Sequence, residues 1–446
     1  MAAHQEIITG VDIGSYKIST IICNVEYNDN IPTVSVIGCA TVPSKGVRKG
    51  VIVNINEVVN CIQQCLQAAE KMAGISVTDV NVSINGIHIM SSNNKGIVSV
   101  TNEEIDQNDI RRVIENSKNT AVSQQVRKII HVIPREFIVD TQKGIKEPLG
   151  MQGSRLEVDT HIISGLSTAV SNTEKVIIES GYKPNITFAG LASAQSVLTM
   201  TEKDLGVMLL DIGHGCTTIT IYQEESIAFS GVVNLGGQSI TSDLAIGLQI
   251  PIEEAEKLKK RIGSIIERQN FVNKEPSNIP SYLRNDITKN DRLSLSNIKD
   301  NEEDDDLLDI SELKIPGLPK LSKRIYQEIV TCRLDEIFQM VNKTVSNAGF
   351  TTRMPAGIVI TGGTANLYNI KEYCRNYFGV LTRIGSPQGL VGPLIDEVGD
   401  PSFATAQGLI LKQINDQSYN MESDHLEPEG DGLLDKVINF IKNLTN

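Results

Sequence analysis

Two stretches of this 446-residue chain carry the same short pattern. ITGVDIGSYKISTIIC covers residues 8 to 23, and GVMLLDIGHGCTTITIY covers residues 206 to 222. Each is a β-rich run, then Asp-Ile-Gly, then a polar tight turn, then a second β-rich run. That succession predicts a β-hairpin with its turn at the glycine. Asp12 corresponds to Asp211, and Gly14 to Gly213. Matching hairpins this far apart predict two related halves, and the chain is too long for one hydrophobic core.

The hairpins also suggest chemistry. Glycine lets a backbone approach a bound group closely. Successive turn N–H groups can hold phosphate oxygens. An aspartate can hold Mg2+, usually through water, because magnesium dehydrates reluctantly. One Asp-x-Gly turn is an ordinary structural turn; two in sequential halves could clamp a triphosphate from both sides. Glu256 and Lys259 share one face of a helical stretch, where they could hold a ribose or simply form a solvated ion pair. Thr361-Gly362-Gly363-Thr364 stands between a strand and a helix. Its bare backbone could receive a planar base, or the chain could merely turn there.

Strand and helix signals alternate elsewhere. Residues 55 to 73 predict an amphipathic helix, 77 to 85 a strand, and 165 to 182 a strand end followed by a helix. Residues 242 to 263 predict helix, turn, helix; 322 to 349 a long helix; 356 to 374 strand, glycine turn, helix. Residues 84 to 160 change texture, with several β-rich runs around one helical segment, as an inserted subdomain would. Residues 268 to 320 are polar, with an acidic run at 301 to 306, and read as a mobile surface insertion. Residues 413 to 432 read as a polar, acidic linker.

The last stretch, LLDKVINFIKNL at 433 to 444, changes character again. Leu433, Leu434, Val437, Ile438, Phe440, Ile441 and Leu444 fall within roughly 160° of helical arc. Such a helix docks on its own domain, on a partner or, from the end of a tether, in a membrane interface. It is nearly neutral, so apolar insertion would supply most of the binding, and weakly. Stable attachment would need several such tails acting together.

Composition removes other classes. The net charge of -13, with no basic run, argues against nucleic-acid binding. No apolar stretch approaches the ~20 residues of a membrane-spanning helix, and the first residues lack the apolar run of a signal peptide. Seven unpatterned cysteines suit a reducing cytoplasm. The six histidines show no zinc-ligand spacing.

Taken in order, the two hairpins, the helical Glu/Lys pair and the Gly-Gly turn resemble the actin, Hsp70 and sugar-kinase superfamily. Over residues 6 to 412 the chain resembles, more closely, the FtsA family of bacterial cell-division proteins. HVIPREFIVDTQKGIKEPLGMQGSRLEVDTHII at 131 to 163 is similar to the subdomain that FtsA carries in place of the usual actin one. RIGSPQGLVGPLIDEVGDPSFATAQGLI at 383 to 410 is similar to the segment that closes the FtsA core.

The resemblance implies an α/β, actin-like two-lobed fold with duplicated mixed-sheet cores, an FtsA-type inserted subdomain and a C-terminal amphipathic helix. The implied division is a first core (5–83 and 160–204), the inserted subdomain (84–159) and a second core (205–242 and 354–412). A further subdomain (243–353) carries the polar insertion, followed by a flexible linker (413–429) and a membrane-targeting helix (430–446). The implied ligands are ATP and Mg2+. Asp12, Gly14, Ser15 and Lys17 match the first phosphate loop; Asp211, Gly213, Gly215 and Thr217 match the second. Gly236 and Gly237 match the connecting segment, Glu256 and Lys259 the ribose side, and Gly362 and Gly363 the adenosine turn. Asp12 and Asp211 are the implied Mg2+ side, through water. His214 reads as a turn residue. Glu174 and Asn172 are candidates for activating water, or plain helix-start residues.

The implied partners are the C-terminal peptide of FtsZ, other copies of the chain in filaments, other divisome proteins, and the lipid bilayer through the C-terminal helix. Arg333 is the candidate for holding a peptide carboxylate, or else it pairs with Glu336 on its own helix. The implied place is the cytoplasmic face of the membrane at the septum, with at most slow ATP turnover. The alternatives are a pilus-assembly ATP-binding adaptor and a metabolic kinase of the same fold. A kinase would need a substrate-binding base, for which no motif is found.

Overall fold

The computed structural model describes residues 5–28, 31–119, 126–273 and 306–423. The described residues form two compact units. The first takes those of Met1–Gly237, Ile337–Ala365 and Lys371–Asn446; the second takes those of Gln238–Glu336 and Asn366–Ile370.

The first unit opens with three antiparallel strands, β1 (Gln5–Ile13), β2 (Lys17–Asn28) and β3 (Ile31–Pro43). A small ribbon follows, β4 (Val47–Arg48) and β5 (Val51–Ile52). Helix α1 (Ile55–Ala73) comes next. Its start is fixed by Asn54, whose side chain accepts from the Glu57 N–H, and its end by Gly74 in a left-handed turn. Val58, Cys61, Ile62, Cys65, Leu66 and Ala69 fall on one face at helical spacing and are buried. Strand β6 (Asp79–Ile84) then pairs parallel to β1. Its near-continuous burial is what a parallel strand covered on both faces requires.

The chain next enters a separate four-stranded sheet of order β7-β10-β8-β9. Its elements are β7 (Met90–Ser99), α2 (Gln107–Asn119), β8 (Arg127–Val139), β9 (Gln142–Ile145) and β10 (Arg155–Leu166). It has its own core, in which Ile110, Val113 and Ile114 of α2 meet Phe137, Leu156 and Val158 of the sheet. Helix α3 (Ser167–Glu179) leads to β11 (Lys183–Phe188), which pairs parallel to β6 and completes the order β11-β6-β1-β2-β3.

After helices α4 (Ala189–Val197) and α5 (Met200–Leu205) the pattern repeats. Strands β12 (Val207–Ile212), β13 (Thr217–Gln223) and β14 (Ser226–Val233) form an antiparallel meander. Helices α6 (Gly237–Leu248) and α7 (Ile252–Asn273) follow, then β15 (Leu307–Asp309), β16 (Lys320–Ser322) and the long α8 (Lys323–Asn347). Strand β17 (Ile358–Thr361) adds parallel to β12, and after α9 (Ile370–Phe378) strand β18 (Thr382–Ile384) adds parallel to β17. The short α10 (Ile395–Val398) and α11 (Ala404–Ser423) end the described chain. The second sheet has the order β14-β13-β12-β17-β18. Strand for strand, this is the first sheet's order again. The architecture is the actin-like α/β fold, with duplicated mixed sheets and an inserted subdomain.

A core cluster joins the halves inside the first unit: Ile84 and Phe188 from one sheet meet Val207, Leu209 and Val359 from the other, with Leu191 and Ala194 of α4 between them. The inserted subdomain is tied by polar contacts to β14, the outer strand of the second sheet. Asn93 donates to the Ala228 carbonyl at 2.9 Å, and Ser91 to the Ser230 carbonyl at 2.7 Å. His161 is fully buried there, with Asn93 at 2.6 Å from Nδ1 and Ser230 at 3.0 Å from Nε2. Burial, then the nearby Arg135 charge, holds its pKa down to about 3, so the imidazole is a neutral hydrogen-bonding joint.

Two segments differ from the sequence reading. The stretch taken as linker from 413 is helical as far as Ser423. Ile410 and Ile414 bury one face of α11, and Lys412 pairs with Asp416 one turn on, at 2.5 Å. The stretch taken as an insertion from 268 to 320 has structure at both ends. α7 runs to Asn273, and Leu308, Ile310, Leu313 and Ile315 are buried around the β15–β16 ribbon. Residues 274–305 and the C-terminal helix at 430–446, with Leu433, Leu434, Val437, Ile438, Phe440, Ile441 and Leu444, lie outside the described residues.

Candidate functional site

The two Asp-Ile-Gly hairpins fold alike. In the first, Asp12 pairs with Ser19 and Ile13 with Ile18; in the second, Asp211 pairs with Thr218 and Ile212 with Thr217. Each turn is closed by one bond. The Gly14 N–H donates to the Lys17 carbonyl at 3.1 Å, and the Gly213 N–H to the Cys216 carbonyl at 3.0 Å. The tips meet, with the Tyr16 and His214 rings 5.0 Å apart between centroids.

Each aspartate is oriented by a hydroxyl from elsewhere in the chain. Ser83 donates to Asp12 Oδ1 at 2.7 Å, since β6 lies beside β1. Thr405, at the start of α11, donates to Asp211 Oδ2 at 3.2 Å. Burial raises the Asp12 carboxyl, against the pull of Ser83 and Lys17. Burial first, and then the Asp12 charge, push Asp211 up to about 6 against the pull of the Thr405 and Ser193 hydroxyls. Two half-buried carboxylates that repel each other are a strained pair unless a cation or proton joins them. Among the described residues, no group of three or more His, Cys, Asp or Glu side chains could hold a metal ion. A two-carboxylate oxygen set completed by water and phosphate oxygens fits magnesium and does not suit zinc.

The Gly-Gly turn belongs to the same site. Gly362 has φ +84°, and a Cβ there would lie 2.4 Å from Asp211 Oδ1, so only glycine fits beside the carboxylate. Thr364 donates to the Gly213 carbonyl at 3.0 Å, and the Gly237 N–H donates to the same oxygen at 2.9 Å. Gly236 packs against the second loop. The structure therefore gathers Asp12, Gly14, Ser15, Lys17, Asp211, Gly213, Gly215, Gly236, Gly237, Gly362 and Gly363 within the first unit. Thr217 is there too, with its hydroxyl donating to the Leu235 carbonyl at 2.8 Å. Lys17 donates to Ser402 at 2.9 Å and lies 3.5 Å from the centre of the Phe403 ring.

The remaining candidates make other contacts. Glu256 and Lys259 form a largely buried pair at 2.7 Å in the second unit, closed by Thr241, which donates to Glu256 at 2.5 Å and accepts from Lys259 at 2.8 Å. Burial pushes the Glu256 carboxyl up, but Lys259 and Thr241 together hold it below its ordinary value. The pair is thus no solvated surface contact. Asn172 and Glu174 lie inside α3, not at its start, and Glu174 is bonded to Lys128 of β8 at 2.5 Å. Arg333 on α8 grips Asp243 of α6 with two bonds, at 2.5 and 2.8 Å, and also reaches Glu336.

Sequence reading missed Ser83 and Thr405. Both lie outside any motif, and only the sheet register and the packing of α11 bring them to the aspartates.

Comparison with known proteins agrees with this architecture. Residues 86–164 match the family model described as the SHS2 domain inserted in FTSA, and residues 208–408 match the model for cell division protein FtsA. The cell division protein FtsA of Neisseria meningitidis serogroup B is 33% identical over 99% of this chain and 100% of its own length. That of Escherichia coli K12 is 31% identical over 96% of this chain and 94% of its own. Among solved structures, a chain of the PilM-PilN type IV pilus biogenesis complex superposes with a TM-score of 0.59 at 14% identity. The match covers 91% of this chain and 98% of that one, a likeness of fold alone.

Proposed function

Because the chain belongs to the FtsA family of cell division proteins, we propose that it binds ATP with Mg2+ at the paired loops and joins the FtsZ ring to the inner face of the membrane. The observation that carries the nucleotide part is the pair Asp12 and Asp211, each set before a turn closed by the same kind of bond and each raised by burial. A bound magnesium ion would supply positive charge for the phosphates. Asp12 and Asp211 would hold it, through water. The turn amides of the two loops would orient the phosphate oxygens, and the Gly362–Gly363 backbone would face the adenosine.

ATP serves in this reading as an assembly ligand rather than a fuel. Filament formation at the membrane would multiply a weak attachment by effective concentration. No described helix is long and apolar enough to cross a membrane, so the attachment falls to the amphipathic tail read from the sequence. Arg333 is the proposed contact for an acidic FtsZ tail peptide, and recruitment of other divisome proteins to the septum follows from the same tether.

Liposome co-sedimentation tests the tether. The full chain should sediment with vesicles, and removal of residues 430–446 should release it. Phe440→Glu or Ile441→Glu should also release it, because a charge in the acyl boundary costs about 2–3 kcal/mol. Lys436→Ala should matter less. Release by Lys436→Ala or by salt, with the glutamate variants still bound, would contradict the reading.

A further inference from the structure

The turn at Lys49–Gly50, between β4 and β5, belongs to no motif, yet it packs where the two phosphate loops converge. Both residues have positive φ, 52° and 76°, the geometry of a two-residue hairpin turn. The Gly50 N–H donates to Ser15 Oγ in the first loop at 2.9 Å. On the other side the turn abuts the second loop. A Cβ on Gly215 would lie 2.8 Å from Lys49 Cα, 3.1 Å from Lys49 N and 3.0 Å from Ser15 Oγ. The Lys49 backbone is thus wedged between Ser15 and Gly215.

The Lys49 ammonium reaches the Asn234 carbonyl at 3.5 Å, the long end of a hydrogen bond. Asn234 opens the segment that leads to Gly236 and Gly237. Left-handed φ disfavours a lysine, so the side chain stands at a position where glycine or asparagine would fit better. The cation native to the first loop, Lys17, already lies on Ser402 and Phe403. A polyphosphate held between the two loops would bring negative charge to this region.

We infer that Lys49 is a phosphate-binding residue of this site: its ammonium leaves the Asn234 carbonyl for an oxygen of the phosphate held between the two loops. The inference rests on the nucleotide reading above and adds a third chain segment to the phosphate cradle. An ammonium–phosphate bond is charge-assisted, whereas the carbonyl contact it replaces is long and neutral at one end.

The test is calorimetric titration of the full chain and its variants with MgATP and, separately, with adenosine. Lys49→Gly removes the ammonium at a position whose backbone suits glycine, so the turn survives. It should weaken MgATP at least tenfold and leave adenosine affinity unchanged. Lys49→Arg, which keeps the cation, should stay within a few-fold of the parent for MgATP. Unchanged MgATP affinity in Lys49→Gly would overturn the inference while leaving the nucleotide reading intact. An equal loss for adenosine would also overturn it, because Lys49 would then support the loops rather than the phosphate. A parent chain that fails to bind MgATP would overturn both.

Discussion

Replacing Asp211 with asparagine separates the two things this carboxylate does. In the folded protein its carboxyl titrates near 6, against an ordinary value of 3.8, because of burial and the Asp12 charge beside it. At ~1.4 kcal/mol per pH decade, that displacement corresponds to about 3 kcal/mol. Between roughly pH 4 and 6 the folded state holds a proton that the unfolded chain has released. The stabilising proton is therefore fully present below pH 4 and lost as pH rises through 6. The substituted amide would carry no charge at any pH and would keep an oxygen for Thr405, a neutral bond worth ~1 kcal/mol. The nucleotide-free Asp211→Asn protein should thus be about 2–3 kcal/mol more stable than the parent at pH 8, and nearly equal to it at pH 4. Added MgATP should reverse the order, since a ligand stabilises in proportion to its affinity and the variant has lost a metal-side carboxylate. Thermal unfolding at both pH values, with and without MgATP, reads all four states. A variant less stable than the parent at pH 8 without nucleotide, or one stabilised by MgATP as much as the parent, would refute the reasoning.

Gly362→Ala should destabilise the protein by about 2 kcal/mol or more, because φ +84° is strained for alanine and its methyl would collide with Asp211. Urea unfolding checks the loss, and a wild-type midpoint would show that the turn can move away. In the second unit, Asp243 occupies the Arg333 fork that a peptide carboxylate would need. Asp243→Asn should therefore strengthen binding of an FtsZ tail peptide several-fold and Arg333→Glu should abolish it; a fluorescence-anisotropy titration in which Arg333→Glu binds normally would remove Arg333 from the peptide site.

The duplicated hairpins were legible because Asp-Ile-Gly sits between two β-rich runs in both halves, and a hairpin is settled by residues near in sequence. Helix α1 was legible for the same reason, because its apolar residues recur at helical spacing on one face. The ends of the polar stretches were not. α11 continues past 413 because Ile414 finds a place under the first sheet, a tertiary gain that overrides a polar composition. The ribbon around Leu308 and Leu321 is held by burial that no periodicity announces in three-residue strands. Ser83, Thr405 and Lys49 escaped notice because each meets the loops across many residues of chain. Their places beside the loops come from register and packing, which sequence spacing does not encode.

The central claim is that the two hairpins form one site for a magnesium nucleotide, and calorimetric titration of the full chain with MgATP tests it most directly. The account predicts one site per chain in the parent, and its loss in the Asp12→Asn, Asp211→Asn double variant even where thermal unfolding shows that variant to be folded. No binding by the parent, or undiminished binding by the folded double variant, would contradict it.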